Sequence, residues 1–397
     1  MIVQILWIIF QILVGYNLVL PLILYGLHKI SSPKKYFDNS VEERDYGIIV
    51  TAYEQTELLP AVVNSLLKLN YTNYLIYIVA DKCDISSLNF DDDRVVLLRP
   101  PETLASNTRS HLYAIDNFTR PHELLTIIDS DNLVDPEYLN VLNIYFDNGF
   151  EAVQGVRKAK AYATNIASMD AARDLYYHFF DGEVLFELGS SATLAGSGMA
   201  FTTALYNECF RTHDMDGAGF DKVLQAKILM RDKRIAFAKH AVVFDEKTAN
   251  STQLVHQRSR WINTWFKYVG FGFSILASGV KNMSKNQLLF GVILLRPPLF
   301  LFILLSLFCL LVNVFVSGLA AAIWLLALLA FVVSFFLALK HGKADERIYS
   351  ALKNIPSFMY LQVCSLMKIR NANKRSVATR HVVSNVDRGN HFKNKIS

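Results

Sequence analysis

The chain has 397 residues, 52% of them hydrophobic, and a formal net charge of +5, which makes it too long for one small domain and too apolar to be wholly soluble. Its four cysteines, Cys83, Cys209, Cys309 and Cys364, are far apart and match no zinc or redox spacing, so a disulfide scaffold and a cysteine metal site are both excluded. The excess positive charge gathers near the C-terminus beside an apolar block. There it meets anionic lipid more simply than nucleic acid, and no nucleic-acid partner is expected.

The first predicted element is Met1 to Leu27, which carries no charged residue. At about 1.5 Å per residue it is long enough to cross a hydrocarbon core of roughly 30 Å. No basic region precedes it and no small-x-small site closes it, so residues 1–27 are expected to stay as a transmembrane helix rather than be removed as a signal peptide. His28, Lys29, Lys34 and Lys35 follow.

Residues 28–268 are expected to form a separate domain. Tyr46 to Thr51 is apolar without helical period, whereas Leu58 to Leu69 puts Val62, Val63, Leu66 and Leu67 on one helical face. Leu75 to Ala80 and Arg94 to Leu98 read as strands, and Leu104 to Asn117 as a helix. A further strand, Leu124 to Ile128, ends at Asp129. Continuous apolar strands alternating with helices predict an α/β domain with a mostly parallel sheet covered on both faces. Ligands of such sheets sit beyond the carboxyl ends of the strands. Three of those ends carry polar or acidic residues: Thr51 to Glu54, Asp81, and Asp129 to Asp131.

After this domain, residues 269–298 are read as interfacial helices, ended by Arg296-Pro297-Pro298. The uncharged block from Leu299 to Leu339 is about twice a bilayer thickness and must fold back. Ser317-Gly318 is the natural break, giving spans at 299–316 and 319–339. Residues 340–397, with twelve Lys or Arg against three Asp or Glu, are read as a basic tail. Both basic flanks belong on the cytosolic side. Three spans then place the N-terminus outside and residues 28–298 in the cytosol, as in a multi-pass protein of the inner or plasma membrane.

Two constellations carry chemistry. Asp129-Ser-Asp131 leaves a buried strand, and paired carboxylates there suit Mg²⁺ or Mn²⁺ bridging a diphosphate. The alternative, a polar exit that starts the next helix, is already served by Asp135 as N-cap and Pro136 at the first helical position. Gln257, Arg260 and Trp261 share a helical face that offers hydrogen bonds to phosphate and a flat surface for a sugar ring. The same spacing equally suits a helix on the membrane surface, with Arg258 and Arg260 at lipid headgroups and Trp261 and Trp265 at the interface.

Seven segments in order give these patterns a family context: Ile48 to Glu54, Val79-Ala-Asp81, Asp129-Ser-Asp131 with Pro136, Ala195-Gly-Ser-Gly-Met-Ala200, Gly219-Phe-Asp221, Val243-Phe-Asp-Glu246 and Gln257-x-x-Arg260-Trp261. Together they resemble the membrane-bound family 2 glycosyltransferases, the relatives of cellulose, hyaluronan, chitin and poly-N-acetylglucosamine synthases. The resemblance covers roughly residues 46–268. It implies a GT-A fold, a UDP-sugar donor carrying a hexose or N-acetylhexosamine, Mg²⁺ or Mn²⁺, and inversion at the anomeric carbon. By position it implies that Thr51, Ala52, Tyr53, Glu54 and Asp81 hold the nucleoside, that Asp129 contacts the donor, and that Asp131, with Asp129, ligates the metal. Asp221 would be the general base, and Gln257, Arg260 and Trp261 would close over the diphosphate.

The chain departs from the family's pattern at three places. Phe220 stands where an acidic residue usually precedes the base, which leaves an N-cap for a helix at Lys222 to Met230 as the plain alternative for Asp221. Arg109 replaces a lysine, and Thr202 stands where an arginine is common after the loop that includes Gly198. The expected function is transfer to a membrane-associated glycan or lipid acceptor, as in polysaccharide synthesis, with partner subunits for export. The competing reading is a catalytically silent scaffold or nucleotide-binding subunit of an export complex.

Overall fold

A computed structural model describes residues 1–31, 43–212, 215 and 217–370. Lys34, Lys35 and the end of the basic tail beyond Arg370 lie outside the described residues.

In chain order, α1 (Ile2–Ile30) leads to β1 (Tyr46–Tyr53), α2 (Leu59–Leu66), β2 (Tyr74–Asp81), β3 (Val95–Leu98) and α3 (Asn107–Asp116). Then come β4 (Leu124–Asp129), β5 (Leu133–Val134), α4 (Tyr138–Asp147), β6 (Ala152–Ala159) and α5 (Asn165–Tyr177). A π-helical segment, His178–Val184, joins α5 to the short α6 (Leu185–Glu187). The domain continues with β7 (Met199–Thr202), α7 (Thr203–Phe210), α8 (Phe220–Met230), β8 (Ile235–Asp245) and α9 (Ser251–Tyr268).

All eight strands form one sheet in the order β3-β2-β1-β4-β7-β6-β8-β5. β1 runs parallel to β2 and β4, β2 to β3, and β6 to β8, whereas the pairings of β4 with β7, β6 with β7 and β5 with β8 are antiparallel. The apolar runs of β1, β2 and β4 are buried at nearly every position, as strands covered on both faces must be. Their carboxyl ends lie side by side: Thr51 pairs with Asp129 and Tyr53 with Asp81.

The start of α4, beside the site, differs from expectation. Asp135 accepts the Glu137 N–H at 3.0 Å and its carbonyl accepts the Tyr138 N–H, so the turn closes locally and α4 begins only at Tyr138. Pro136 therefore precedes the helix instead of opening it, and Asp135 is a turn residue rather than the N-cap.

Beyond α9 follow α10 (Gly270–Asn282), α11 (Lys285–Leu294), α12 (Leu299–Val316) and α13 (Gly318–His341). α1, α12 and α13 are the three helices among the described residues that are long and apolar enough to cross a membrane. The break falls at Ser317, whose side chain caps α13 by accepting the Ala320 N–H. Gln11 on α1 takes hydrogen bonds from Asn313 of α12 and from the Trp324 indole of α13 at 2.7 Å. That shared acceptor ties all three helices together.

The segment expected as a basic tail begins with structure. α14 (Glu346–Ala351) packs against α5, and α15 (Ile355–Met367) packs against α9. Ile348 of α14 is buried with Ala171, Ala172 and Leu339, so apolar packing holds the start of this basic segment against α5 and α13. All four cysteines are free thiols.

His111 on α3 is buried, with its Nδ1 2.6 Å from the Tyr206 hydroxyl and its ring 5.1 Å from that of Phe220. Burial pushes its pKa down from 6.5 to about 3. Between those values the unfolded chain holds a proton that the native chain does not. Stability from this group is therefore complete above pH 6.5 and is lost as pH falls toward 3. The expected slope is about 1.4 kcal/mol per pH unit. Thermal midpoints between pH 7.5 and 5.5, roughly spanning the upper part of that window, should fall less steeply for His111→Leu than for the wild type. Equal slopes would exclude His111 as a source.

Candidate active site

A cavity of about 1390 Å³ opens at the carboxyl ends of β1 and β4. It is lined by Thr51, Tyr53, Glu54, Asp129, Asp131, Asp221, Gln257, Arg260 and Trp261. Ala52 is buried beneath it. The other three candidates are not in its wall. The Asp81 carboxylate accepts the N–H groups of Leu104 (3.0 Å) and Ala105 (2.7 Å), so it anchors the loop before α3. Arg109 donates to the Leu104 carbonyl at 3.3 Å. Gly198, at φ +65°, packs under the site, where a Cβ would lie 3.0 Å from a Val243 methyl.

The aspartates are held by the loop between α6 and β7. Ser197 Oγ accepts the Asp129 N–H at 3.0 Å and the Asn132 side-chain amide at 2.7 Å. Buried Gln154 ties the loop in turn, accepting the Ala195 N–H and donating to the Ser197 carbonyl. α8 is docked to the same loop through Lys222 Nζ and Gln225, which hold the Leu194 carbonyl and N–H. Asp129, Asp131 and Asp221 thus share one rigid frame, as a site must when its groups act together.

Asp221 does not cap a helix. α8 starts at Phe220, its N-cap is Gly219 at φ +100°, and Asp221 sits in the first turn 3.1 Å from Lys222 Nζ. Phe220 turns away into the core against His111, so no second carboxylate stands beside Asp221 on that side. Gly219 is required twice over: its φ is left-handed, and a Cβ would lie 2.6 Å from a Thr264 methyl and 2.8 Å from the Tyr268 ring. Gly219→Ala should cost roughly 1–3 kcal/mol of stability. Thermal unfolding of the variant beside the wild type will show the loss, and an unchanged midpoint would exclude the strain.

Burial pushes the Asp129 carboxyl well above the ordinary carboxylate range, and the charges of Asp131, Asp245 and Asp221 add to the effect while Arg157 opposes it. Arg157 on β6 is itself between Asp174 (3.6 Å) and Asp245 (3.8 Å). This surplus of negative charge, on oxygen ligands at a cavity wall, is the chemistry a divalent cation relieves. Among the described residues no three His, Cys, Asp or Glu side chains form a closed metal cage. Two carboxylates completed by substrate phosphates fit the way Mg²⁺ is commonly held.

On α9 the membrane-surface alternative fails for Arg258. It is buried, paired with Asp170, and pushed down to about 10 by burial and by Arg173. Its guanidinium carbon lies 3.9 Å from the centre of the Trp261 ring, and that of Arg173 lies 4.4 Å away. Trp261 is thus engaged by two cations, not left as a bare stacking surface. Gln257 accepts from the Thr248 hydroxyl at 3.4 Å, and burial lowers the Arg260 pKa from its usual value.

Arg157, Lys222, Asp245, Asp181 and Arg296 also line the cavity, though none stands among the candidates legible in the sequence. Only Asp245 had a signal, within the Val243 to Glu246 segment.

A sequence profile for the family described as "Glycosyltransferase like family 2" matches residues 44–264. No curated protein matches significantly. Among solved structures, a mannosyltransferase, PcManGT from Pyrobaculum calidifontis in complex with GDP-Man and Mn²⁺, is similar at a TM-score of 0.54 and 14% identity, over 90% of this chain and 98% of that one. S. aureus TarS 1–349 in complex with UDP-GlcNAc gives a TM-score of 0.41 at 13% identity, over 83% and 90% of the two chains. The first likeness shows a shared fold; the second is too distant to add to it.

Proposed function

Because the chain belongs to the glycosyltransferase-like family 2, we propose that it is an inverting, membrane-embedded enzyme that moves a hexose or N-acetylhexosamine from a nucleoside-diphosphate sugar to a membrane-associated acceptor. The observation that carries this reading is that Asp129 and Asp131, at the end of β4, and Asp221, on α8, line one cavity beside Gln257 and Arg260.

In this reading Thr51, Tyr53 and Glu54 border the nucleoside. Mg²⁺ or Mn²⁺, held by Asp129 and Asp131, would supply charge neutralisation of the departing diphosphate. Arg260 and Gln257 lie over the diphosphate, where a guanidinium fork suits phosphate oxygens. Asp221 accepts the proton of the acceptor hydroxyl as that oxygen bonds to the anomeric carbon, on the face opposite the leaving group. Trp261 and Arg173 form a wall that positions α9 rather than a sugar platform. α1, α12 and α13 act as membrane spans with the sheet domain on the cytosolic side, the orientation supported by the basic residues that flank the spans.

UDP is the donor nucleotide implied by the sequence resemblance, and GDP-Man is the ligand of the similar mannosyltransferase from Pyrobaculum calidifontis. Both classes therefore belong in one screen. Purified protein given UDP- and GDP-sugars, with Mn²⁺ or Mg²⁺ and membrane lipid, should release nucleoside diphosphate from one donor class. A screen with no release from any donor would favour the silent-scaffold alternative.

A further inference from the structure

The cavity that holds the aspartates does not end at the sheet. Past Arg296 its wall is formed by Leu299 and Ile303 of α12, Phe331 and Phe335 of α13 and Phe358 of α15. Val332 and Phe336 on α13 and Ile355 on α15 also line it, and they are 45%, 46% and 44% exposed. The apolar lobe therefore opens sideways between α13 and α15, on the flank of a helix long and apolar enough to cross a membrane. A soluble acceptor would leave this lobe empty, whereas a hydrocarbon chain matches it.

At the junction of the polar and apolar lobes stands Asp181, on the π-helical segment, a geometry that recurs at functional sites. Asp181 is 4% exposed and lines the cavity. Its Oδ2 pairs with Arg296, but its Oδ1 is buried without any hydrogen-bond partner. A buried carboxylate oxygen lacking a donor is unfavourable and marks where a ligand's hydroxyl belongs. A fully ionised phosphate has no proton to give to this oxygen, and the Arg296 charge beside it is already engaged by Asp181.

We propose that the apolar lobe holds the chains of a glycolipid acceptor, a lipid with an uncharged, hydroxyl-bearing head, which enters from the bilayer between α13 and α15 and presents its head to Asp181 and Asp221. The proposal rests on the transferase reading above and names its acceptor class. In the step, a head-group oxygen forms the new bond to the anomeric carbon and its proton passes to Asp221. The bond to the nucleoside diphosphate breaks, and the diphosphate keeps the electron pair.

The test uses the full chain in phosphatidylcholine nanodiscs and a glucosyl diacylglycerol with a diazirine in one acyl chain. Photolabel should map to the cavity side of α12, α13 and α15, and be competed by unlabelled glucosyl diacylglycerol but not by phosphatidate. Val332→Trp, a change at an exposed position of the mouth, should reduce labelling about fivefold or more, an effect on the scale of a lost apolar contact. Leu326→Trp, on the same helix, 65% exposed and outside the cavity, should not reduce it. Labelling confined to outward-facing residues, or unaffected by Val332→Trp, would overturn the proposal, and equal competition by phosphatidate would overturn its head-group assignment. Release of nucleoside diphosphate is measured in the same discs. Lost labelling with intact release sinks the lipid lobe alone, whereas labelling with no release from any donor sinks the transferase reading and leaves the lobe.

Discussion

Asp221→Asn is expected to lower kcat by about 10²–10⁴, the usual contribution of a positioned general base, with little change in donor binding. The amide keeps the shape of the carboxylate but cannot take the acceptor proton. Folding should survive, since Asp221 makes no side-chain cap and its favourable place in the first turn of α8 is worth only about 0.3–1 kcal/mol. The informative measurement is kcat beside nucleotide affinity. Turnover within about twofold of wild type would remove Asp221 from the chemistry, because no general base is that dispensable.

Asp170→Ala should have the largest effect on stability. Arg258 and Asp170 are both nearly inaccessible, and Arg173 approaches the same carboxylate at 3.5 Å. Removing the acid leaves two cations buried against the Trp261 ring with one partner fewer, and breaking such a pair typically costs about 3–5 kcal/mol. Replacing both Asp170 and Arg258 with apolar residues of similar volume should restore most of the loss, because neither charge then remains buried alone. Thermal unfolding of the single and double variants separates the outcomes: a double variant no more stable than Asp170→Ala would mean that packing, not uncompensated charge, is the cause.

Much of this architecture was legible because it is local. Strands β1, β2 and β4 announce themselves as continuous apolar runs, and the carboxylates that end them follow from sequence position alone. Ser317-Gly318 marks the break between α12 and α13, and a capping serine stands there. What escaped is what distance along the chain conceals. Arg296 and Asp181 lie 115 residues apart and meet in the cavity wall. Arg258 and Asp170, 88 apart, pin one face of a helix that looked suited to a membrane surface against α5. Asp81 reads as a ligand-facing strand end, yet both its oxygens are taken by backbone N–H groups 23 and 24 residues away. Charge composition misled in the same way at the C-terminus, where α14 and α15 pack on α5 and α9 although the surrounding segment is basic.

In the proposed mechanism Asp129 and Asp131 hold a divalent cation against the diphosphate of a sugar nucleotide. This is tested most directly by nucleoside diphosphate release from the donor the screen identifies, measured for wild type in Mn²⁺, for wild type in chelator, and for Asp131→Ala in Mn²⁺. Chelation and Asp131→Ala should each reduce release by about 10² or more, as loss of metal-based charge stabilisation requires, and added Mn²⁺ should restore only the chelated wild type. Release that proceeds unchanged in chelator and in Asp131→Ala would contradict it.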